Sequence, residues 1–182
     1  PAPRAQRIFP AAGEAEFVAR RQGSAVGSHR IRFVHEPGRF VVRTDIALDV
    51  RAGAASLYRF THHAEEIWMD GWLDAVVSDT DDDGRRYRLR AGREDGIFTG
   101  LVNGAAFTVS GYVMPSSLWH RDTVASETLF DTIDGRVKAV RAELLGREQV
   151  LAGGLTLSAK HYALAGGIAR DLWYDANFEL VR

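Results

Sequence analysis

The chain of 182 residues is 46% hydrophobic and 26% charged, a balance that is typical of globular proteins and excludes a disordered or fibrous chain. Its formal net charge of −1 argues against a general nucleic-acid binder, whose affinity comes from excess positive charge. No apolar run approaches the roughly 18 residues of a membrane-spanning helix, and the absence of cysteine excludes disulfides, thiolate metal sites and cysteine catalysis.

The first five residues are rich in alanine and proline and show no apolar periodicity. We expect residues 1–13 to be an irregular segment at the start of a single domain that covers 1–182. The opening residue is Pro1 rather than methionine, which fits either the mature end left after removal of a signal peptide or an edited start. The first interpretation predicts a periplasmic or secreted protein.

Apolar and polar residues alternate with a period of two along most of the chain, which is typical of half-buried β-strands. Phe40, Val42 and Ile46 share one parity, for example, whereas Arg43 and Asp45 share the other. Asp-Gly, Asn-Gly and Pro-Gly dipeptides separate these runs and favour tight turns, because glycine adopts positive φ angles without a steric clash. The pattern predicts short helical turns around 10–16 and 115–126, and strands over 15–22, 28–36, 39–50, 55–69, 72–80, 85–91, 97–102, 105–112, 128–132, 136–145, 155–164, 168–175 and 178–182.

So many strands joined by tight turns predict an all-β fold with little helix, built as a single antiparallel meander sheet. Because strand twist accumulates from one strand to the next, such a sheet does not stay flat. We expect it to curl into a barrel or half-barrel of lipocalin-like or calycin-like architecture, with a sandwich as the alternative.

The predicted strand over 55–69 carries the most informative residues. Tyr58, Phe60, His62, Glu66 and Trp68 share its more aromatic parity, so we expect them to face inward. A buried imidazole and a carboxylate two pleats apart can act as a general acid–base pair, with Tyr58 as a donor and Trp68 as a stacking wall. The alternative is structural, with His62 satisfying a core neighbour and Glu66 lying in water at the barrel mouth.

The inward parity of an earlier strand adds His29 and Phe33 to this aromatic wall. A curled sheet with an aromatic interior and a few convergent polar groups is typical of a small-molecule cavity. We therefore predict that His29, Phe33, Tyr58, Phe60 and Trp68 contact a ligand.

A loop that breaks the alternation places Trp119, His120 and Arg121 side by side after Pro115. Loops on a rigid sheet often carry function, so these residues can contact the ligand as a lid, with His120 as a further catalytic acid or base. The alternative is a plug, in which Pro115 and Trp119 cap an open barrel end without any ligand.

Asp171, Trp173 and Asp175 share one face of a predicted strand near the end of the chain. Two carboxylates beside an indole can bind a sugar or a cation, but the pattern equally fits an outer face on which Trp173 covers an edge. The acidic run over 80–84 lacks the spacing of a calcium loop, and the histidines lack that of a zinc site. We predict no metal ion and, without nucleotide-binding or nucleophile motifs, no cofactor.

The order of several short motifs is similar to that of a known family. These are Gly-x-x-x-Gly-x-His at 23–29, Tyr-Arg-Phe-x-His-x-x-x-Glu-x-Trp at 58–68, Thr-Asp-Asp-Asp-Gly at 80–84, Pro-x-Ser-x-Trp at 115–119, Thr-Leu-Phe-Asp-Thr-x-x-Gly at 128–135 and Asp-Leu-Trp-Tyr-Asp at 171–175. Together they resemble the DUF6134 group of bacterial, exported proteins of unknown function and, more distantly, the DUF3108 group. The resemblance implies a curled antiparallel sheet and an envelope location, but no activity. Members often carry asparagine where this chain has His120, which marks that position for a specialised role.

We therefore predict a periplasmic protein that binds an apolar or amphipathic small molecule inside a curled sheet. The alternative is a cofactor-free lyase, hydratase, isomerase or glycan-active enzyme that uses His62, Glu66 or His120. A third hypothesis is an interaction module that forms a homodimer through an exposed edge strand.

Overall fold

The computed structural model describes Pro10, Ala11 and residues 13–182. Over this part of the chain it contains twelve strands and one short 3-10 helix at Arg121–Ala125, so the predicted all-β class with little helix is confirmed. The strands are β1 (Gly13–Arg21), β2 (Ser24–Glu36), β3 (Arg39–Ala52), β4 (Ala55–Met69), β5 (Trp72–Asp82), β6 (Arg85–Glu94), β7 (Ile97–Val102), β8 (Ala105–Val109), β9 (Thr128–Phe130), β10 (Val137–Ala152), β11 (Leu155–Gly166) and β12 (Arg170–Tyr174). The described residues contain no helix long and apolar enough to cross a bilayer.

Two local predictions are wrong. The helical turn expected at 10–16 is replaced from Gly13 onward by β1, because pairing with β2 outweighs a weak local preference. The strand expected at 178–182 does not form, since a positive φ of 62° at Phe178 interrupts the extended chain. Pairing there is limited to backbone bonds of Val181 and Arg182 with Trp173, a bond from Asp175 to Glu179 and an isolated bridge between Tyr174 and Leu180. The expected irregularity of 1–13 falls mostly on residues 1–9 and 12, which lie outside the described residues.

The strands form two antiparallel meanders instead of a single sheet. An eight-stranded sheet has the order β1-β2-β3-β4-β5-β6-β7-β8, and a four-stranded sheet has the order β12-β11-β10-β9. The chain correspondingly divides into two compact units. The eight-stranded unit contains the residues up to Tyr112 together with Thr132–Gly135, and the four-stranded unit contains Val113–Asp131 and Arg136–Arg182.

The predicted hairpin turns of the larger sheet are confirmed by their backbone angles. Asp70, Asp83, Asp95 and Asn103 all have φ near +50°, and each is followed by a glycine with positive φ. Two consecutive positive φ angles define a type I′ turn, whose twist matches that of the paired strands. These four turns therefore fix the register of β4 through β8.

One face of the eight-stranded sheet, which we call the inner face, carries the buried side chains. Ile31, Val42, Trp68, Leu89 and Phe98 lie on it and are fully buried. The opposite, outer face carries ion pairs between neighbouring strands, such as Arg43 with Glu65 at 2.7 Å. The predicted in–out register is confirmed by adjacent residues, because His62 is 3% exposed whereas the side chain of His63 is 65% exposed.

Candidate functional site

The register of the larger sheet aligns inner-face side chains in rows that run across the strands. Phe17, His29, Ile46 and His62 occupy directly opposed positions on β1, β2, β3 and β4. The next row contains Ala15, Ile31, Thr44, Ala64 and Ser78 on β1 through β5. Opposed Cβ atoms lie roughly 4.5–5.5 Å apart, so Ile46 separates the two histidines of the first row.

The β4–β5 part of the inner face is covered by Thr132–Gly135, which we call the covering segment. His62 Nδ1 lies 2.8 Å from Thr80 Oγ1, and His62 Nε2 lies 3.4 Å from Thr132 Oγ1. Ser78 Oγ donates a hydrogen bond of 2.5 Å to the carbonyl oxygen of Thr132. Both ring nitrogens of His62 thus contact hydroxyl groups, and the histidine links the covering segment to the sheet.

Glycine is required where the covering segment reaches the far side of the sheet. Gly135 has a φ of +70°, and a Cβ at this position would lie 2.6 Å from Val102 Cγ2 and 3.2 Å from the Phe107 ring. Both the backbone angle and the close contact disfavour larger residues. The final glycine of the Thr-Leu-Phe-Asp-Thr-x-x-Gly motif therefore has a packing role.

Glu66 and Trp68 form a hydrogen-bonded pair in the core of the same sheet. Trp68 Nε1 donates to Glu66 Oε2 at 3.0 Å, and both residues are fully buried. A buried carboxylate is costly unless it accepts hydrogen bonds, which gives this tryptophan a polar as well as a packing role. The alternative that placed Glu66 in water is wrong.

The part of the inner face formed by β1, β2 and β3, which we call the β1–β3 half, has a different character. Phe17, His29 and Ile46 are half-buried, and the Phe17 and His29 rings lie 5.6 Å apart. His29 Nε2 and Thr44 Oγ1 are both buried and have no hydrogen-bond partner. Burial lowers the pKa of His29, so its imidazole is uncharged at neutral pH.

The other predicted ligand-contacting residues of the larger sheet also lie on its inner face. Phe33 stacks on Phe40 with ring centres 6.1 Å apart, and the Phe60 ring lies 6.3 Å from that of His62. The Tyr58 hydroxyl donates to Asp82 Oδ1 at 2.7 Å. Its burial, together with this carboxylate, raises the pKa of Tyr58 to about 12.

Trp119, His120 and Arg121 belong to the four-stranded unit. His120 is 1% exposed, caps the 3-10 helix by accepting from the Asp122 backbone N–H at 3.1 Å, and lies edge-on to the Trp119 ring at 5.0 Å. Burial is the main cause that lowers the pKa of His120 to about 4, although Asp122 opposes it. Arg121 remains exposed and pairs with Asp122 at 3.5 Å. A catalytic or lid role for this loop stays a prediction.

Asp171 and Trp173 take part in a cluster that the sequence did not reveal. The His161 ring stacks on Trp173 at 4.2 Å, while its Nδ1 and Nε2 lie 2.7 Å from Glu148 Oε1 and 3.0 Å from Asp171 Oδ1. Trp173 Nε1 donates to Glu148 Oε2 at 2.9 Å. The Asp171 and Glu148 carboxylates raise the pKa of His161.

Asp171 and Asp175, which flank the indole of Trp173 in one of the two interpretations, have different partners. Asp175 Oδ1 instead accepts from the backbone N–H groups of Asn177 and Glu179, at 2.8 and 2.9 Å, and closes a turn. Local bonding of this kind is common for aspartate in loops. The acidic run over 80–84 is also a turn, in which Asp81 Oδ1 accepts from the Gly84 N–H at 2.7 Å. Within residues 10, 11 and 13–182 no group of three His, Asp or Glu side chains is arranged to hold a metal ion.

A family model described as "Domain of unknown function (DUF6134)" matches residues 17–182, which is most of the chain. The chain belongs to the DUF6134 family. Its fold is similar to the crystal structure of a beta-barrel-like protein of domain of unknown function DUF1849 from Brucella abortus, with a TM-score of 0.62. That match has 14% sequence identity and covers 92% of this chain and 87% of the other, so it shows a shared fold alone. No curated protein shows significant similarity to this DUF6134 chain.

Proposed function

We propose that this DUF6134 protein binds an apolar or amphipathic small molecule on the β1–β3 half of the inner face. The observation that carries the proposal is the pair of buried polar atoms without partners, His29 Nε2 and Thr44 Oγ1, among half-buried apolar side chains. Buried polar atoms usually have a hydrogen-bond partner, and a bound ligand can supply the one that is missing here.

The energetic argument rests on the cost of these two atoms. A buried polar group without a hydrogen-bond partner costs roughly 1–3 kcal/mol. Thr44 is only 4% exposed, so water has little access to its hydroxyl group. A ligand group that bonds to either atom recovers part of this cost on binding.

The surrounding side chains supply the apolar contacts. Phe17, Ile46 and Leu48 on β1 and β3 are half-buried on the inner face, and Phe60 on β4 lies directly opposite Leu48. Small side chains at Ala15 and Ala19 leave these larger groups partly accessible from the β1 side. Burying apolar area against a ligand contributes roughly 25 cal/mol for each Å² removed from water.

His62 and Glu66 have contacts that favour binding over catalysis. His62 contacts the hydroxyl groups of Thr80 and Thr132, and Glu66 accepts from Trp68. A general acid or base has to reach a proton on the substrate, within about 3 Å. These contacts tie both side chains to neighbouring residues of the protein.

A periplasmic or secreted location and a homodimer through an edge strand are further parts of the proposal. The location is supported by the resemblance of the motifs to exported proteins, and fractionation of cells that express the complete gene tests it. The edge strands β1 and β8 of the larger sheet offer backbone groups for pairing, and light scattering over a range of protein concentrations tests the dimer.

Binding is tested first by native mass spectrometry of protein purified without detergent, which we expect to show a co-purifying molecule. The stripped protein is then titrated with Nile red, an uncharged apolar fluorophore. We expect Ile46→Arg to weaken Nile red binding by about tenfold or more, because it buries a charge on the floor of the site. Ala47→Arg is the matched control, since its side chain is exposed on the outer face of the same strand.

Ile46→Trp is a second variant, which fills the site without adding a charge. Ile46→Arg and Ile46→Trp should both lose affinity for Nile red, while circular dichroism shows that both variants remain folded. Equal Nile red affinity in Ile46→Trp and Ala47→Arg would remove the β1–β3 half as the binding site.

A further inference from the structure

We infer that the ligand of the β1–β3 half has an uncharged, hydroxyl-bearing head group, as in a long-chain alcohol or a monoacylglycerol, and is neither a fatty acid nor a cationic lipid. The inference rests on the proposed function and names the chemical class of its ligand. It is carried by the buried, unpartnered atoms of His29 and Thr44 and by the uncharged side chains that adjoin His29.

The first argument concerns the neighbours of His29. It lies directly opposite Phe17 on β1 and Ile46 on β3. Every other inner-face position that adjoins it on these three strands is also uncharged: Ala15, Ala19, Gly27, Ile31, Thr44 and Leu48. A charged head group bonded to His29 Nε2 would therefore lose its water without gaining an ion partner.

The second argument concerns the acidic groups farther along the inner face. Glu66 on β4 is diagonal to Thr44, and Asp82 on β5 lies opposite Phe60. The Glu66 carboxyl group already accepts from Trp68, and that of Asp82 accepts from Tyr58. These acidic side chains supply no positive charge, so a fatty acid carboxylate gains no ion partner from them.

Arg85 and Arg93 lie on the inner face at β6, which is three strands away from β3. Strands are spaced by roughly 4.8 Å, so this separation is about 14 Å. Arg93 bonds to the carbonyl oxygens of Leu73 and Gly96, and Arg85 pairs in register with Asp82. Neither arginine is positioned to neutralise an anion that is bonded to His29.

The third argument is the hydrogen-bonding chemistry of the two atoms. A neutral imidazole has one donor and one acceptor nitrogen, and a threonine hydroxyl both donates and accepts. A ligand hydroxyl can donate to one of these groups and accept from the other. A carboxylate can only accept, so it pairs with these two groups only when both of them donate to it, and a quaternary ammonium group neither donates nor accepts. The lowered pKa of His29, caused by burial, is consistent with this preference for a neutral partner.

The test compares three ligands with the same chain, namely 1-decanol, decanoate and decyltrimethylammonium, by displacement of Nile red at pH 7.5 below their aggregation concentrations. We expect decanol to bind at least about tenfold more tightly than either ion, which corresponds to about 1.4 kcal/mol. Thr44→Val and His29→Phe should each reduce this preference to about threefold or less. Thr61→Val, on the exposed outer face of β4, is the matched control and should retain it.

The outcomes separate the inference from the proposed function. If decanoate binds as tightly as decanol while Ile46→Trp abolishes binding of both, the site exists and the inference about its head group is wrong. The inference is also wrong if the decanol preference survives in both Thr44→Val and His29→Phe. If neither Nile red nor any decyl compound binds, the proposed function itself fails.

Discussion

His29 and His62 lie in the same row of the inner face, with Ile46 between them, yet their surroundings differ in one respect. Around His62, hydroxyl groups of Thr80 and Thr132 meet both ring nitrogens. Around His29, one ring nitrogen is buried and has no partner. The same side chain on the same face therefore has hydroxyl partners at both ring nitrogens in one place and a buried ring nitrogen without an internal partner in the other.

The covering segment accounts for the difference. It brings the hydroxyl and carbonyl groups of Thr132 to His62 and Ser78, and it places Gly135 against Val102 and Phe107. The comparison teaches that burial alone does not identify a binding site, since the relevant property is burial without an internal partner.

Replacing the two histidines by phenylalanine is expected to give the largest contrast. His62→Phe leaves the hydroxyl groups of Thr80 and Thr132 without their imidazole partner, so we expect it to lower the free energy of unfolding by about 2–4 kcal/mol. His29→Phe removes a polar atom that had no partner, so we expect a change within about 0.5 kcal/mol or a gain in stability. Urea unfolding at pH 7.5 measures both.

Two further variants serve as controls for this contrast. Thr80→Val should lower stability in the His62 background but raise it after His62→Phe, because the second change then removes a buried hydroxyl group that has lost its partner. Equal losses for His62→Phe and His29→Phe would contradict the difference between the two parts of the inner face.

Gly135→Ala is expected to have a smaller effect, which isolates the packing of the covering segment. The φ of +70° disfavours alanine by about 1 kcal/mol, and the contact with Val102 adds to this cost. Gly104→Ala is the matched control, because Gly104 also has a positive φ, +88°, but has no atom within 4 Å of the added Cβ. A larger loss of stability in Gly135→Ala, measured by urea unfolding, is expected. Equal losses would show that the segment tolerates movement away from β7 and β8.

Sequence alternation was sufficient to predict the inner face. A period of two places Tyr58, His62, Glu66 and Trp68 on one side of β4 whatever the details of the turns, and β4 has the predicted bounds 55–69. The Asp-Gly and Asn-Gly dipeptides then set the hairpins, because few other residue pairs adopt two successive positive φ angles. Both signals are local, which is why they survive without any knowledge of the tertiary structure.

What alternation does not predict is which inward positions acquire internal partners. Thr132 is 54 residues from Ser78 and 70 from His62, and nothing in the local pattern indicates these contacts. Thr44 was passed over for the same reason, although it is a polar residue on the apolar parity of β3. Its importance follows from a missing hydrogen bond, which only the surroundings reveal.

The cluster around His161 illustrates a second limit. Glu148, His161, Asp171 and Trp173 come from three strands, and the bulge between Leu144 and Gly146 shifts the register of β10 against β11. A shift of one residue moves a side chain to the other face, so the meeting of these groups could not be read from the sequence. Asp175 lies just beyond the end of β12, where its carboxyl group accepts hydrogen bonds from the backbone of Asn177 and Glu179. The position of its side chain therefore follows the turn and not the alternation of the strand.

The smallest expected effect is a difference in the sign of two pH dependences. Burial lowers the pKa of His29 below the ordinary value of about 6.5, so the unfolded chain binds more protons at this residue and its contribution destabilises the fold as the pH falls through and below about 6.5. The pKa of His161 is raised, chiefly by Asp171 and also by Glu148, with Trp173 stacked on its ring and Arg182 over that indole. Its stabilising contribution is complete below about 6.5 and is lost as the pH rises through its folded-state pKa.

His29→Phe and His161→Gln separate these contributions. Subtracting each variant's melting temperature from that of the unmodified protein, between pH 5 and pH 8, should give a difference that rises with pH for His29 and falls with pH for His161. His120 has a pKa lowered in the same sense as that of His29, but it is present in all three proteins and cancels in the subtraction. Parallel curves for the two variants would contradict the assignment, because a neutral imidazole buried without a partner and an imidazolium held between two carboxylates respond to protons in opposite directions.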